Sequence, residues 1–296
     1  MAHSHTYAIS GSRLVITMAL NFFITVIEII GGIFSGSLSL ISDALHNFSD
    51  GLAIIITYIA NRLSKRPNSY KYTFGLKRAE ILAAILNAST LVIISFFLIK
   101  EAIERFSTPL EVNGATMLIV ATGGLLANVV GTLLLKRDAN KNMNMKAAYL
   151  HLLSDAVSSL AVIIGALFIL QFNIYWIDPF LTILISLYIV RESYLIIKEA
   201  TDVVMMSVPP EIDIQEVERF VTKTFPEISN VHHVHIWRMN DHDIHFEAHI
   251  TIGDGLLSKT TALKNQLEHA LHERFDLTHC TFQFECQVCE NLNLIY

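Results

Sequence analysis

The chain has 296 residues, 52% of them hydrophobic and only 16% charged, with a mean hydropathy of +0.47 and a formal net charge of −6. A soluble protein carries roughly a quarter charged residues, so the deficit points to membrane spans; no nucleic-acid partner is expected. Charge is unevenly divided: residues 207–296 hold 14 acidic and 6 basic residues and nine of the 13 histidines, whereas residues 1–206 hold 13 acidic and 15 basic. Two domains in different solvents are expected, a transmembrane domain over 1–206 and a cytoplasmic one over 207–296.

The opening "MAHSHTYAISGSR" does not read as a secretory signal, because the apolar run behind it is too long and no small-residue cleavage site follows. Spanning a bilayer takes about 20 mostly apolar residues. Six segments qualify, at about 12–34, 38–61, 80–100, 114–136, 146–170 and 175–197. The second and fifth are expected to be the weakest, since each carries His and Asp. The loop at 62–79 holds Arg62, Lys65, Arg66, Lys71, Lys77 and Arg78, and the loop at 136–146 holds Lys136, Arg137, Lys141 and Lys146. The loops near 35 and 171 have no basic residue, and the one at 101–113 has Arg105 against Glu101, Glu104 and Glu111. Positive charge collects on the cytoplasmic side, so both termini are expected in the cytoplasm of a multi-pass inner-membrane protein.

The second span contains "SDALHNFSD", with Asp43, His46 and Asp50 amid apolar flanks. The fifth repeats the pattern: His46 and Asp50 form one H-x-x-S-D, and His151 and Asp155 form another. Residues four apart share a helix face at a rise of roughly 6 Å, so each motif presents an imidazole and a carboxylate together. Both motifs fall near the bilayer middle on helices of opposite direction, as in inverted repeats built around a midplane site. Two His nitrogens and two Asp oxygens suit a tetrahedral Zn²⁺. Helix–helix hydrogen bonding is the alternative, but an Asp at midplane costs at least ~2.5–3.5 kcal/mol on insertion scales. Asn21 and Glu28 in the first span are expected to line a cavity. Asp178, before Pro179, is expected to cap the sixth helix with proline in its first turn.

After "SVPPEID" the pattern becomes that of a small α+β domain. "DIQEVERFVTKTF" has helical spacing with Asp213 as N-cap; "VHHVHIWRM" and "IHFEAHITI" alternate as paired strands, with "NDHD" as the turn. "SKTTALKNQLEHALHERF" is an amphipathic helix and "HCTFQFE" a last strand. The order α-β-β-α-β implies a ferredoxin-like layer of helices on a small sheet. The three cysteines, Cys280, Cys286 and Cys289, make no disulfide framework. Cys286 and Cys289 in "ECQVCE" form a C-x-x-C, which reads as half a zinc site or as a redox pair. His242, His245, His269 and His272 are expected to be solvated.

These residues identify a resemblance covering nearly the whole chain. "SLSLISDALHNFSD", "FGLKRAEILAAILN", "HLLSDAVSSLAVII", "YWIDPFLTILIS" and "VHHVHIW" together resemble the zinc-type branch of the cation diffusion facilitator family. The resemblance implies six transmembrane helices, a cytoplasmic ferredoxin-like domain, a homodimer, and export of divalent metal in exchange for protons. It implies a transport site of His46, Asp50, His151 and Asp155, with His46 favouring zinc, and cadmium or cobalt as further substrates. Asp43 becomes a gate or proton-relay residue, or else a structural one. The family's cytoplasmic metal site falls on His232, His249 and Glu285, with His235 as a close neighbour, making Zn²⁺ a regulatory ligand as well as cargo. Two features depart from relatives: "KRDANKNMNMK" contains no His, and "NSYKYTFGLKRAE" offers tyrosines where some members bind metal.

Two rival functions are an intramembrane metallohydrolase and a membrane zinc sensor. The first wants H-E-x-x-H, which the chain lacks. The second would not need midplane ligands reachable from both sides.

Overall fold

The computed structural model describes residues 11–139, 143–240, 243–286 and 293–295. Six long helices come first: α1 (Gly11–Ser35), α2 (Leu38–Ser64), α3 (Ala79–Ser107), α4 (Gly114–Ala139), α5 (Met143–Phe172) and α6 (Ile177–Val204). Each covers one expected span. Among the described residues, four stretches are long and apolar enough to cross a membrane: Ala79–Ser107, Gly114–Leu134, Leu152–Phe172 and Ile177–Val204. The fifth helix therefore departs from expectation. The uninterrupted apolar run beyond Asp155 outweighs the polar motif at its start, whereas in α2 the polar residues sit nearer the middle.

Two compact units emerge from the packing, one comprising the chain to Tyr58 with Leu86–Ile197, the other Ile59–Ile85 with Lys198–Tyr296. In the first, α4 packs most extensively on α5 and then on α1. Its core holds Leu40, Leu91, Met117, Val162, Ala166 and Ile189. Large apolar side chains also face outward, among them Phe23, Phe97, Ile119 and Val157. A surface of that kind is what a membrane helix shows to lipid, where close packing rather than apolar burial drives helix association. A Cβ at Gly124 would lie 1.9 Å from Glu28 Oε1, so the carboxylate end of Glu28 would have to shift.

The second unit has the expected α-β-β-α-β order: α7 (Ile214–Thr224), β1 (Ile228–Arg238), β2 (Ile244–Ile252), α8 (Leu257–Phe275) and β3 (His279–Glu285). The sheet runs β1-β2-β3, with β1 and β2 antiparallel and β2 and β3 parallel. Asp213 caps α7 by accepting from Gln215 N–H at 2.9 Å, as its position in the sequence implies. The core joins Val217 and Val221 of α7 and Leu267 and Leu271 of α8 to Phe246, Ala248 and Ile250 of β2. The β1–β2 register shifts between His232 and His235, and His233 has φ +49°.

Candidate metal centres

α2 carries the first motif, and its start is fixed from two directions. Ser37 is the N-cap, accepting the Leu40 N–H at 3.1 Å. The Asp178 carboxylate then accepts from Ser37 Oγ (2.6 Å), Ser39 Oγ (2.6 Å), Leu38 N–H (2.8 Å) and Ser39 N–H (3.2 Å). Asp178 was expected to cap its own helix, but α6 begins at Ile177 and its carboxylate caps α2 instead. Unsatisfied N–H groups and the positive helix end stabilise an anion there, and the serines on both sides of Leu38 supply two more donors.

Two turns into α2, His46 Nε2 lies 3.5 Å from Asp50 Oδ2 and 3.9 Å from Asp155 Oδ1 of α5. His46 and Asp50 are partly buried and Asp155 is 2% exposed. Donor atoms around a tetrahedral zinc sit about 3.3 Å apart, given bonds of about 2.0–2.1 Å, a spacing the His46–Asp50 distance approaches and the His46–Asp155 distance exceeds. His151 lies on α5 one turn before Asp155; its side chain is outside the described residues. His46 thus lies within 4 Å of both expected carboxylates.

Around them is a polar frame that periodicity alone did not reveal. Asp43 is buried and accepts from Ser158 Oγ at 2.5 Å and Ser159 Oγ at 3.2 Å, both on α5. It ties the two motif-bearing helices together within a turn of each motif. Asn47, beside His46, donates to Glu28 Oε2 at 3.3 Å, and Ser49 donates to Asn87 at 3.1 Å. Glu28 is fully buried. Asn21 is half-buried in the same helix. The signal for these contacts was present as single polar residues in apolar runs, but their partners lie tens of residues away.

In the second unit, His232 stands opposite His249 in the β1–β2 register. Glu285, at the end of β3, pairs with Thr251, two residues from His249 and so on the same sheet face. The result is a tight triad, with His232 Nε2 to Glu285 Oε1 at 2.8 Å and His249 Nδ1 to Glu285 Oε2 at 3.5 Å. One donor atom from each of the three lies within 4.8 Å of the others, a set that fits zinc.

His233 joins this cluster, its ring 4.7 Å from His249 and 5.2 Å from His232. Strict alternation would have sent it to the other face. The bulge and its left-handed backbone turn it back, and histidine tolerates that conformation better than most residues. Burial, together with His249 and His232, holds the His233 imidazole below its ordinary pKa. Its backbone N–H and that of Val234 donate to the carbonyls of Asn293 and Leu294, which run beside the bulge.

His235 does not join. It is exposed and pairs with Glu247 beyond the bulge. Cys286 is exposed and follows Glu285 directly, while Cys289 lies outside the described residues. Burial and the nearby Glu268 push the Cys280 thiol up to about 12, with Lys264 opposing. His269 and His272 are solvated on α8, as expected, and His242 is outside the described residues. His245 is a correction: it is only 6% exposed, stacked on Trp237 at 5.3 Å and next to His279 at 4.7 Å.

Comparison with known proteins gives a consistent picture. The description "Cation efflux transmembrane domain" matches residues 14–205, and "Cation efflux protein, cytoplasmic domain" matches 209–287. The zinc transporter ZitB of Escherichia coli is 36% identical over 98% of this chain and 94% of its own length. The cadmium, cobalt and zinc/H(+)-K(+) antiporter of Bacillus subtilis is 33% identical over 100% of this chain and 95% of its own. The metal cation efflux protein CzcD of Cupriavidus metallidurans is 33% identical over 97% and 91%. These relatives are transporters rather than enzymes, they match this chain almost end to end, and the chain belongs to the cation efflux family, the cation diffusion facilitators, with a helical membrane domain and a cytoplasmic α+β domain.

Proposed function

We propose that this chain exports Zn²⁺, with Cd²⁺ and Co²⁺ as further substrates, across the cytoplasmic membrane in exchange for protons. The observation that carries the reading is His46 Nε2 standing between Asp50 of its own helix and Asp155 of α5. With His151 as the fourth donor, these residues make a tetrahedral site of two nitrogens and two oxygens. Metal requires neutral imidazole and ionised carboxylate, so binding competes with protons. Histidine titrates near neutrality, which lets one set of ligands carry metal one way and protons the other. The site opens alternately to each side as the helices rock, and Asp43 with Ser158 and Ser159 holds α2 and α5 in register beside it. As a gate, Asp43 would release and remake those two bonds in each cycle.

Residues 1–206 form the membrane domain and 207–296 the cytoplasmic one, with both termini inside, as the basic loops at 62–79 and 136–146 favour. The chain works as a homodimer through the cytoplasmic domain. There His232, His249 and Glu285 hold a regulatory zinc, with His233 beside them and His235 apart from the set; Cys286 and Cys289 are further candidate ligands.

Reconstitution into liposomes with an entrapped zinc dye tests the transport reading. Wild-type protein should move zinc faster when a proton gradient opposes it and should dissipate that gradient. Asp155→Ala should abolish both fluxes while the dimer persists. Flux indifferent to the gradient would remove antiport, and near-wild-type flux from Asp155→Ala would remove the site.

A further inference from the structure

Between α2 and α3 the chain carries six cations and no carboxylate from Arg62 to Arg78, with three aromatic residues among them. Tyr70, Tyr72 and Phe74 are all exposed. Within the second unit this segment and the cytoplasmic domain line a pocket of about 400 Å³. Phe74, Leu82, Met206 and Met239 give it apolar walls, and Lys77, Arg78 and Trp237 add nitrogen.

The nitrogens are unequally used. Lys77 Nζ is bonded to Asp243 Oδ2 at 2.8 Å, which neutralises that carboxylate and fixes the segment. By contrast, Arg78 Nε and Nη2 and Trp237 Nε1 are shielded from solvent and donate to no acceptor among the described residues. Guanidinium and indole N–H groups left without acceptors are costly when shielded. Both residues line the pocket.

Location narrows the ligand. Ala79 and Leu82, in the first turn of α3, line the pocket, and Ala79–Ser107 is a candidate membrane span. With α3 read as a membrane helix, the pocket lies at headgroup depth on the basic side of the bilayer. Guanidinium groups recognise phosphate by paired N–H donors, and Trp and Tyr favour this depth. The volume admits a phosphate, a glycerol and the first methylenes of a chain.

We propose that this pocket binds an anionic phospholipid of the cytoplasmic leaflet, its phosphate against Arg78 and Trp237 and its acyl chain over Phe74, Leu82 and Met206. The proposal rests on α3 spanning the membrane, and it adds to the transporter a lipid-composition sensor at the junction of the α2–α3 loop with the cytoplasmic domain.

Trp237 provides the probe. The chain has two tryptophans, so full-length Trp176→Phe leaves Trp237 alone. That protein is placed in phosphatidylcholine liposomes in which a minor fraction is brominated phosphatidylglycerol or, separately, brominated phosphatidylcholine. Quenching of Trp237 should favour the anionic lipid by about fivefold, since a cation near the surface is worth roughly that preference. Arg78→Gln should bring the two lipids level, and Arg78→Lys should keep most of the difference.

Equal quenching by the two lipids in the Trp176→Phe protein overturns the proposal without recourse to any Arg78 variant. Relief of the anionic-lipid quenching by millimolar inorganic phosphate also overturns it, because the occupant is then a free anion. Zinc flux through the same liposomes is read independently: its loss alongside lipid-selective quenching would count against the transport reading alone.

Discussion

Asp178, at the start of α6, accepts a 2.6 Å hydrogen bond from Ser37 Oγ just ahead of α2, and the same carboxylate takes three further donors there. One buried anion thereby sets the entry of the helix that carries His46 and Asp50. Asp178→Asn would replace an acceptor oxygen by an amide that faces donors. Bonds to a charged group are each worth about 1.5–3 kcal/mol, so a loss of about 2 kcal/mol or more is expected. Zinc flux should fall while the order of metal preference stays the same, because no ligand is altered. Thermal unfolding of purified protein and paired zinc and cadmium fluxes would check this; a changed metal order would mean that Asp178 touches the ion.

His46→Asp should relax selectivity toward Mn²⁺. The change exchanges a borderline nitrogen for a hard oxygen while keeping the ligand number, and oxygen-rich sites suit hard ions. Zinc and manganese flux through wild type and variant in identical liposomes gives the ratio. An unchanged ratio would remove His46 from the ligand set.

Gly124→Ala should damage the protein through Glu28. The added methyl would lie 1.9 Å from Glu28 Oε1, so the glutamate must move and its bond from Asn47, beside His46, is lost. Overpacking of this kind costs about 1–3 kcal/mol. Adding Glu28→Ala should recover part of that loss, a coupling expected only of neighbours. Additive effects in the unfolding midpoints would show that the two residues do not share space.

Glu285→Ala should lower zinc bound per chain at equilibrium while leaving transport-site occupancy intact. Residues 207–296 carry 14 acidic and 6 basic residues, a net −8 on each of two tails, which repel until bound cations offset the charge. Spectroscopic distances between labelled tails should therefore shorten with zinc in wild type and hardly at all in the variant. A zinc response that survives the substitution would place the regulatory ion elsewhere.

Acid should loosen the cytoplasmic domain through His245. Burial first, then His279 and Lys77, hold its imidazole below the ordinary value, with Asp243 opposing. The unfolded chain takes up a proton near pH 6.5 while the folded one resists. The stability due to neutral His245 is therefore complete above that pH and is lost as pH falls toward the folded pKa. The unfolding midpoint of the domain should drop between neutral and mildly acidic pH, and His245→Phe should flatten that drop. An equal drop in the variant would assign it to other groups.

Much of this was legible in local pattern. The six helices follow from the length of apolar runs, and the α-β-β-α-β tail from changes of period. The pairing of His46 with Asp50 follows from a spacing of four, because a helix brings such residues together whatever surrounds it. The candidate cytoplasmic set of His232, His249 and Glu285 came from resemblance, and the sheet register accounts for their meeting.

Other features were decided only by the tertiary fold. Asp178 looked like the cap of its own helix because capping signals are read over a few residues; its real partners lie 139 to 141 positions away. His233 reaches the His232–His249 face through a one-residue bulge, which is a property of two strands together and has no mark in either alone. His245 read as a solvated surface residue, yet Trp237 across the β1–β2 pair and His279 across the β2–β3 pair enclose it. The sequence by itself determined which elements form and which faces carry nitrogen and carboxylate, since those depend on backbone periodicity and on the avoidance of water. Which polar group meets which across the fold depended on helix packing and strand register, and these arise from long-range contacts that no short window of residues contains.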